Sequence, residues 1–149
     1  RTVRTTIMGE TYTATASTSI DASPQTVWHA LTDPETIQQY FFGSEVETDW
    51  EVGGPIVWRG EWEGETFEDK GEVQRFEPDR VLEYTHWSPL SGKPDVPENY
   101  HTVTWELTEV DGGTEVTLAQ DNNDTEEVKD HSEENWEMVL GQLRELLES

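Results

Sequence analysis

The sequence predicts an α+β fold, a curved antiparallel sheet wrapped around a long C-terminal helix, and three observations predict it. Segments that alternate apolar and polar residues recur through the middle of the chain between Gly- and Asp-bearing turns, as expected of strands with one wet and one covered face. The C-terminal segment carries a single apolar stripe at helical spacing. Between the first strand and the others lie two short helical segments, punctuated by Ser23-Pro24 and Asp33-Pro34. A sheet with one dry face and a long amphipathic helix cover each other in a layered domain.

Residues 1–10 have no clear period and read as a frayed tail, which leaves 11–149 as a single domain. Tyr12, Ala14, Ala16, Thr18 and Ile20 share one face at period two and mark the first strand. Ser23 then offers a side-chain oxygen to the free amides of a first helical turn, and Pro24 is tolerated at the first helical position. Val27, Trp28 and Leu31 form the stripe of that helix until Asp33-Pro34 stops it. A second short helix runs from about Glu35 to Tyr40, with Ile37 and Tyr40 on one side, into Phe41-Phe42-Gly43. Strands follow near 44–50, 55–62, 67–76, 81–86, 101–109 and 114–121. Val52-Gly53-Gly54, Glu63-Gly64, Pro78-Asp79, a long loop from Trp87 to Asn99, and Asp111-Gly112-Gly113 separate them. Asp-Gly-Gly is a strong hairpin signal because glycine supplies the positive φ of a tight turn. On its flanks Val103, Trp105 and Leu107 alternate with Thr104, Glu106 and Thr108, and Val116 and Leu118 with Glu115 and Thr117. In the last helix, Trp136, Val139, Leu140, Leu143, Leu146 and Leu147 make the stripe, and either Asp124 with Glu127 or Ser132 caps its start.

Composition narrows the function. The 149 residues include 33 acids against 9 Lys and Arg, a formal charge of −24. A nucleic-acid partner needs a basic patch and an anionic membrane needs basic residues, so neither is expected. With no cysteine there is no disulfide, thiol catalysis or Cys-based zinc site. No run reaches the roughly 18 apolar residues of a membrane span. Arg1-Thr2-Val3-Arg4 leads into no apolar signal core, and the expected compartment is the cytoplasm. Leu, Ile, Val and Phe make up only 30 residues, but seven Trp and four Tyr add burial and the apolar positions are periodic, so the chain is read as folded. An acid-rich chain with three lysines (Lys70, Lys93, Lys129) fits a salt-loaded, halophilic cytoplasm, where its self-repulsion is screened.

An ordered set of motifs then resembles a known family. Ile20-Asp21-Ala22-Ser23-Pro24, Val27-Trp28 and Ala30-Leu31-Thr32-Asp33-Pro34-Glu35 look like the opening signature of the START-like (SRPBCC, helix-grip) superfamily. Within it the chain is similar to the group of the activator of the ninety-kilodalton heat-shock protein ATPase. Trp50 with Val52-Gly53-Gly54, Gly71 with Val73, Pro78 with Arg80 and Leu82, and Tyr84-Thr85 continue the match. Val103-Thr104 with Glu106-Leu107, Gly112-Gly113-Thr114, and Asn135-Trp136 with the leucine-rich end complete it, so that it covers about residues 12–148. The resemblance implies a helix-grip fold with a deep cavity between sheet and C-terminal helix, used in the superfamily by lipid carriers, hormone receptors, and polyketide cyclases and aromatases. It also implies a role in the stress response.

The candidate site follows from that cavity. Phe41, Phe42, Trp58, Arg59, Trp62, Tyr84, His86, Trp87, His101 and Trp105 are the residues expected to line or border it. For Trp105, as for Trp28 and Trp136, plain core filling is the stronger reading, because each sits in a core stripe. His86 and His101 fall at one end of neighbouring strands, where two imidazoles suit proton shuttling, although no cluster with metal-ligand spacing surrounds them. His29 and His131 are expected to be solvated. Arg59 suits a ligand carboxylate or, more plainly, a salt bridge to one of many acids. The Trp87–Asn99 loop, with its three prolines, is expected to act as a lid opposite Phe41 and Phe42. No catalytic set, no metal and no cofactor is expected. The leading reading is a non-enzymatic domain for a small hydrophobic or amphipathic, apolar or aromatic ligand. The alternatives are a chaperone-associated interaction module, or a cyclase- or hydrolase-type enzyme using a cavity His or Arg.

Overall fold

The structure, a computed structural model, describes residues 11–41 and 43–148, apart from the side chains of Trp62 and Leu90. The tail expected over residues 1–10 lies outside them. Strand β1 (Tyr12–Ile20) leads into α1 (Pro24–Thr32) and α2 (Pro34–Tyr40). Strands β2 (Glu45–Glu47), β3 (Pro55–Trp62), β4 (Glu65–Glu77), β5 (Val81–His86), β6 (His101–Val110) and β7 (Gly113–Asn123) follow, and α3 (Glu126–Glu148) ends the chain. The order in the sheet is β1-β7-β6-β5-β4-β3-β2, every pairing antiparallel. Helices α1 and α2 therefore carry the chain from one edge of the sheet to the other, and hairpins bring it back.

Local chemistry accounts for the elements. Ser23 accepts a hydrogen bond from the Thr26 amide at 3.2 Å with Pro24 behind it, as a helix start requires. Asp33 does two jobs: its amide closes the last turn of α1 on the His29 carbonyl, and its carboxylate accepts from Thr36 N–H and O–H to open α2. At Asp111-Gly112 both residues have positive φ, the backbone of a two-residue hairpin, and Val110 pairs with Gly113 across it. Glu63-Gly64 repeats the device between Trp62 and Glu65.

Several boundaries differ from the sequence expectation, β7 for example running from Gly113 to Asn123. The strand expected over 44–50 stops at Glu47, because Thr48 and Asp49 side chains capture the Trp50 and Glu51 amides and offer the backbone a turn instead. Strand β4 is longer at both ends than expected. Helix α3 starts at Glu126, capped by neither Asp124 nor Ser132: Thr125 Oγ1 accepts from the Val128 amide at 3.1 Å. His131 therefore lies within the helix, and it is exposed as expected.

The core sits between the inner face of the sheet and the helices. Small residues Ala14 and Ala16 of β1 let α3 approach, and Val139, Leu140 and Leu143 fill the contact. Trp136 of α3 meets Trp105 edge-on, with ring centres 5.9 Å apart. Strands β4 and β5 come unusually close at Gly71, where any Cβ would lie 1.6 Å from the Thr85 carbonyl oxygen. Only glycine fits there.

Candidate functional site

The register places one row of side chains along the inner face. Tyr84 pairs with Val103, Leu82 with Trp105, His86 with His101 and Trp58 with Asp69. Under the helices this row encloses a void of about 20 Å³. Its walls are aromatic, with Tyr40, Phe41, Trp50, Trp58, Tyr84 and Trp105, over aliphatic side chains that include Leu31 and Ile56. Trp58 and Tyr84 pack with ring centres 5.1 Å apart, and Phe41 meets Trp136 at 5.7 Å. Such a void is about the size of one water molecule. The deep cavity implied by the resemblance is filled by the protein's own rings in this conformation.

Two hydroxyls break the apolar lining. Tyr40 donates to the Ala30 carbonyl at 2.9 Å, while Tyr84 accepts from the Trp105 indole N–H at 3.1 Å. Burial pushes both phenols to higher pKa, so both remain protonated. The Tyr84 proton has no acceptor among the described residues.

A polar group closes one end of the row. His86 Nε2 and Asp69 Oδ2 lie 2.9 Å apart, and Asp69 Oδ1 is buried with no hydrogen-bond partner among the described residues. Next to them, His101 Nδ1 lies 2.8 Å from the Asp121 carbonyl, and the two imidazoles are stacked with centres 6.5 Å apart. Burial, chiefly, holds the His101 pKa below its ordinary value. Trp58 presents its ring edge-on to His86 at 5.0 Å. Among the described residues no group of three or more His, Cys, Asp or Glu is placed to hold a metal ion.

The expected site residues divide. Phe41, Trp58, Tyr84 and Trp105 line the void, and His86 and His101 lie outside its lining, beyond Trp58 on the same inner face. Arg59 lies on the outer face, paired with Glu47 at 2.6 Å and Glu68 at 3.0 Å, as its plainer reading had it. Trp87 also lies away from the void, joined by two backbone hydrogen bonds to Lys70 and stacked on Tyr100. Phe42 and the Trp62 side chain lie outside the described residues. The expected lid is tied down: Lys70 pairs with Asp95, Lys93 with Asp124, and the Asn122 amide donates to the Glu98 carbonyl. Tyr100 donates to Asp95 at 2.6 Å, and its pKa is pushed up to about 12 by burial and by that carboxylate.

Sequence reasoning missed Trp50 and Asp69. Trp50 reaches the void from a turn, at φ 62°, where no periodicity signals it. Asp69 was legible, because a two-residue turn at Glu63-Gly64 pairs Trp62 with Glu65 and hence, four steps back, Trp58 with Asp69. A second depression, open to solvent and about 450 Å³, lies where α1 and α2 meet the end of α3 and is bordered by Gln25, His29, Gln39, Leu146 and Leu147.

A curved antiparallel sheet gripping a C-terminal helix around an aromatic inner space defines a START-like, helix-grip domain. The family model described as activator of Hsp90 ATPase homolog 1-like protein matches residues 21–148, and the chain belongs to that family. A solution structure of a Cytophaga hutchinsonii protein is 50% identical, over 92% of this chain and 94% of that one, with a TM-score of 0.81. CalU16 from Micromonospora echinospora is 25% identical over 90% and 82%, with a TM-score of 0.68. The Aha1 dimer of Colwellia psychrerythraea, 19% identical over 91% and 96% with a TM-score of 0.71, shares the fold. No curated protein matches the chain. No helix among the described residues is long and apolar enough to cross a membrane.

Proposed function

We propose that the chain is a binding domain for a small aromatic or amphipathic molecule, taken up between the sheet and α3 when the rings that fill this space give way. The observation that carries the reading is the Tyr84 hydroxyl, a buried donor without an acceptor among the described residues, inside an otherwise apolar, aromatic lining. A polar anchor in an apolar pocket is how small-molecule sites fix orientation. Phe41 and Trp50 are only partly buried at the border of the void, so they are the rings to move. No organic molecule fits the closed form; once the rings give way, a planar molecule with one carbonyl or ether oxygen matches the aromatic lining and the anchor best.

The test is titration of a panel of aryl ketones, naphthols and fatty acids, followed by tryptophan fluorescence. We expect saturable micromolar binding by an aryl ketone. Phe41→Ala is expected to tighten it by removing a ring that must move, and Tyr84→Phe to weaken it about 3–10-fold through loss of one hydrogen bond. No saturable response in either the wild type or Phe41→Ala defeats the reading. A protein-interaction module of the chaperone-associated kind is the second reading, supported by the contrast between the filled interior and the open 450 Å³ depression beside Leu146 and Leu147. Calorimetric titration with a ninety-kilodalton heat-shock protein tests it, and Leu147→Asp should abolish any heat it gives.

A further inference from the structure

We propose that Asp69, His86 and His101 form a proton-transfer site, with His86 as a general base toward an acidic C–H of an aromatic molecule. This goes beyond the binding reading and departs from the expectation of a non-enzymatic domain. It does not need the internal void to open.

Three strands deliver the group to one place. His86 of β5 and His101 of β6 are direct cross-strand partners on the inner face, and Asp69 reaches His86 from β4. The close approach of β4 and β5 at Gly71 and Thr85, one residue from His86, brings the carboxylate within 2.9 Å of the ring.

Hydrogen bonding then fixes both tautomers. A carboxylate and a backbone carbonyl only accept, so the proton of neutral His86 is on Nε2 and that of neutral His101 on Nδ1. His86 Nδ1 and His101 Nε2 are left as two basic lone pairs with no partner among the described residues. A histidine that only stabilised the fold would have little reason for an oriented, unused nitrogen beside a buried, half-satisfied carboxylate. The carboxylate behind His86 stands where it stabilises the imidazolium formed as the ring takes a proton, the part an acid plays behind the histidine of a triad. The neighbouring His101 is kept neutral by burial, so it adds a second acceptor and not a like charge. The other charged groups near the pair are Asp121 on β7 and Lys93 in the loop. Access is retained, since the His86 side chain is 27% exposed. Trp58, itself buried, backs the His86 ring edge-on from the core side and holds it in place.

The probe is 5-nitrobenzisoxazole, whose elimination needs only a base. His86 Nδ1 takes the C3 proton, the C–H electron pair becomes the third bond of the nitrile, and the N–O bond breaks to leave a coloured phenolate. The imidazolium returns its proton to solvent, so no co-reactant is required. We expect the full-length protein to exceed free imidazole at equal concentration by at least about tenfold, with a rate that climbs to a plateau through one inflection as pH rises. His86→Gln should remove both the excess rate and the inflection. Asp69→Asn should lower the rate several-fold at unchanged unfolding midpoint, because the ring loses its fixed tautomer. A wild-type rate no greater than that of imidazole, or a folded His86→Gln of undiminished rate, overturns the proposal. Should His86→Gln fail to fold, ¹⁵N imidazole spectra of the wild type decide: a bare Nδ1 on His86 supports the assignment and a protonated Nδ1 overturns it. Failure of the ketone titration alone leaves this rate untouched, and loss of the rate with intact titration leaves the binding reading untouched.

Discussion

Beside a second imidazole and under the sheet's inner layer, His101 resists protonation. Burial is the largest cause and repulsion from His86 and Lys93 adds to it, while the hydrogen bond to the Asp121 carbonyl and the Asp121 charge oppose it. The unfolded chain, where the ring titrates near 6.5, therefore binds the proton first as pH falls. The stability contributed by neutral His101 is complete above 6.5 and is lost as pH drops toward the lower folded value. Thermal unfolding of the wild type and His101→Gln between about pH 7.5 and about 5.5 checks this: the wild-type midpoint should fall relative to the variant as pH is lowered. Parallel curves would refute it. At this scale the sequence was informative about which side chains share a face, since alternation put Tyr84, His86, His101 and Trp105 together. It was silent on which donors find acceptors. The buried Asp69 oxygen without a partner among the described residues depends on side-chain placement, and no spacing in the chain encodes that.

The elements were legible where a capping residue or a two-residue turn fixes them, and blurred where side chains compete with the ladder. Ser23-Pro24 and Asp33-Pro34 punctuate the helices as expected, whereas Thr48 and Asp49 end β2 early through their own hydrogen bonds. Helix α3 begins ten residues before its apolar stripe, at Glu126 and not Trp136, because acids suit the positive end of the helix dipole without any hydrophobic signal. What holds that helix is the stripe. Leu143 is fully buried, and Leu143→Ala should cost about 2–5 kcal/mol, with the exact figure set by how far the site collapses. Against a typical total of roughly 5–15 kcal/mol this is a large loss, readable as a fall in the denaturant midpoint at unchanged slope. An unaltered midpoint would mean that α3 does not seal the sheet.

For the whole molecule, the dominant quantity is the charge of −24. Each of the Lys and Arg residues among the described positions already pairs with an acid: Arg59 with Glu47 and Glu68, Lys70 with Asp95, Arg75 and Arg80 with Glu77, Lys93 with Asp124, Lys129 with Asp130, and Arg144 with Glu148. Added salt thus has two opposite effects. It screens these exposed pairs, each worth only about 0–1 kcal/mol, and it screens the repulsion among the many acids left over. The second effect wins because unpaired acids far outnumber the pairs, so stability is expected to rise steeply from about 0.1 M toward molar sodium chloride. Screening also has a distinctive shape. At about 1 M the Debye length is near 3 Å, shorter than the spacing of surface carboxylates, so its gain should level off there, whereas exclusion of a kosmotropic salt from the surface keeps adding stability. Unfolding midpoints taken in sodium chloride and in ammonium sulfate separate the two: a shared steep rise that flattens only in sodium chloride is the signature of a surface adapted to salt. A flat or falling series in sodium chloride would show that the acids are spaced and solvated well enough to need no screening, and the halophilic reading of the composition would fail with it.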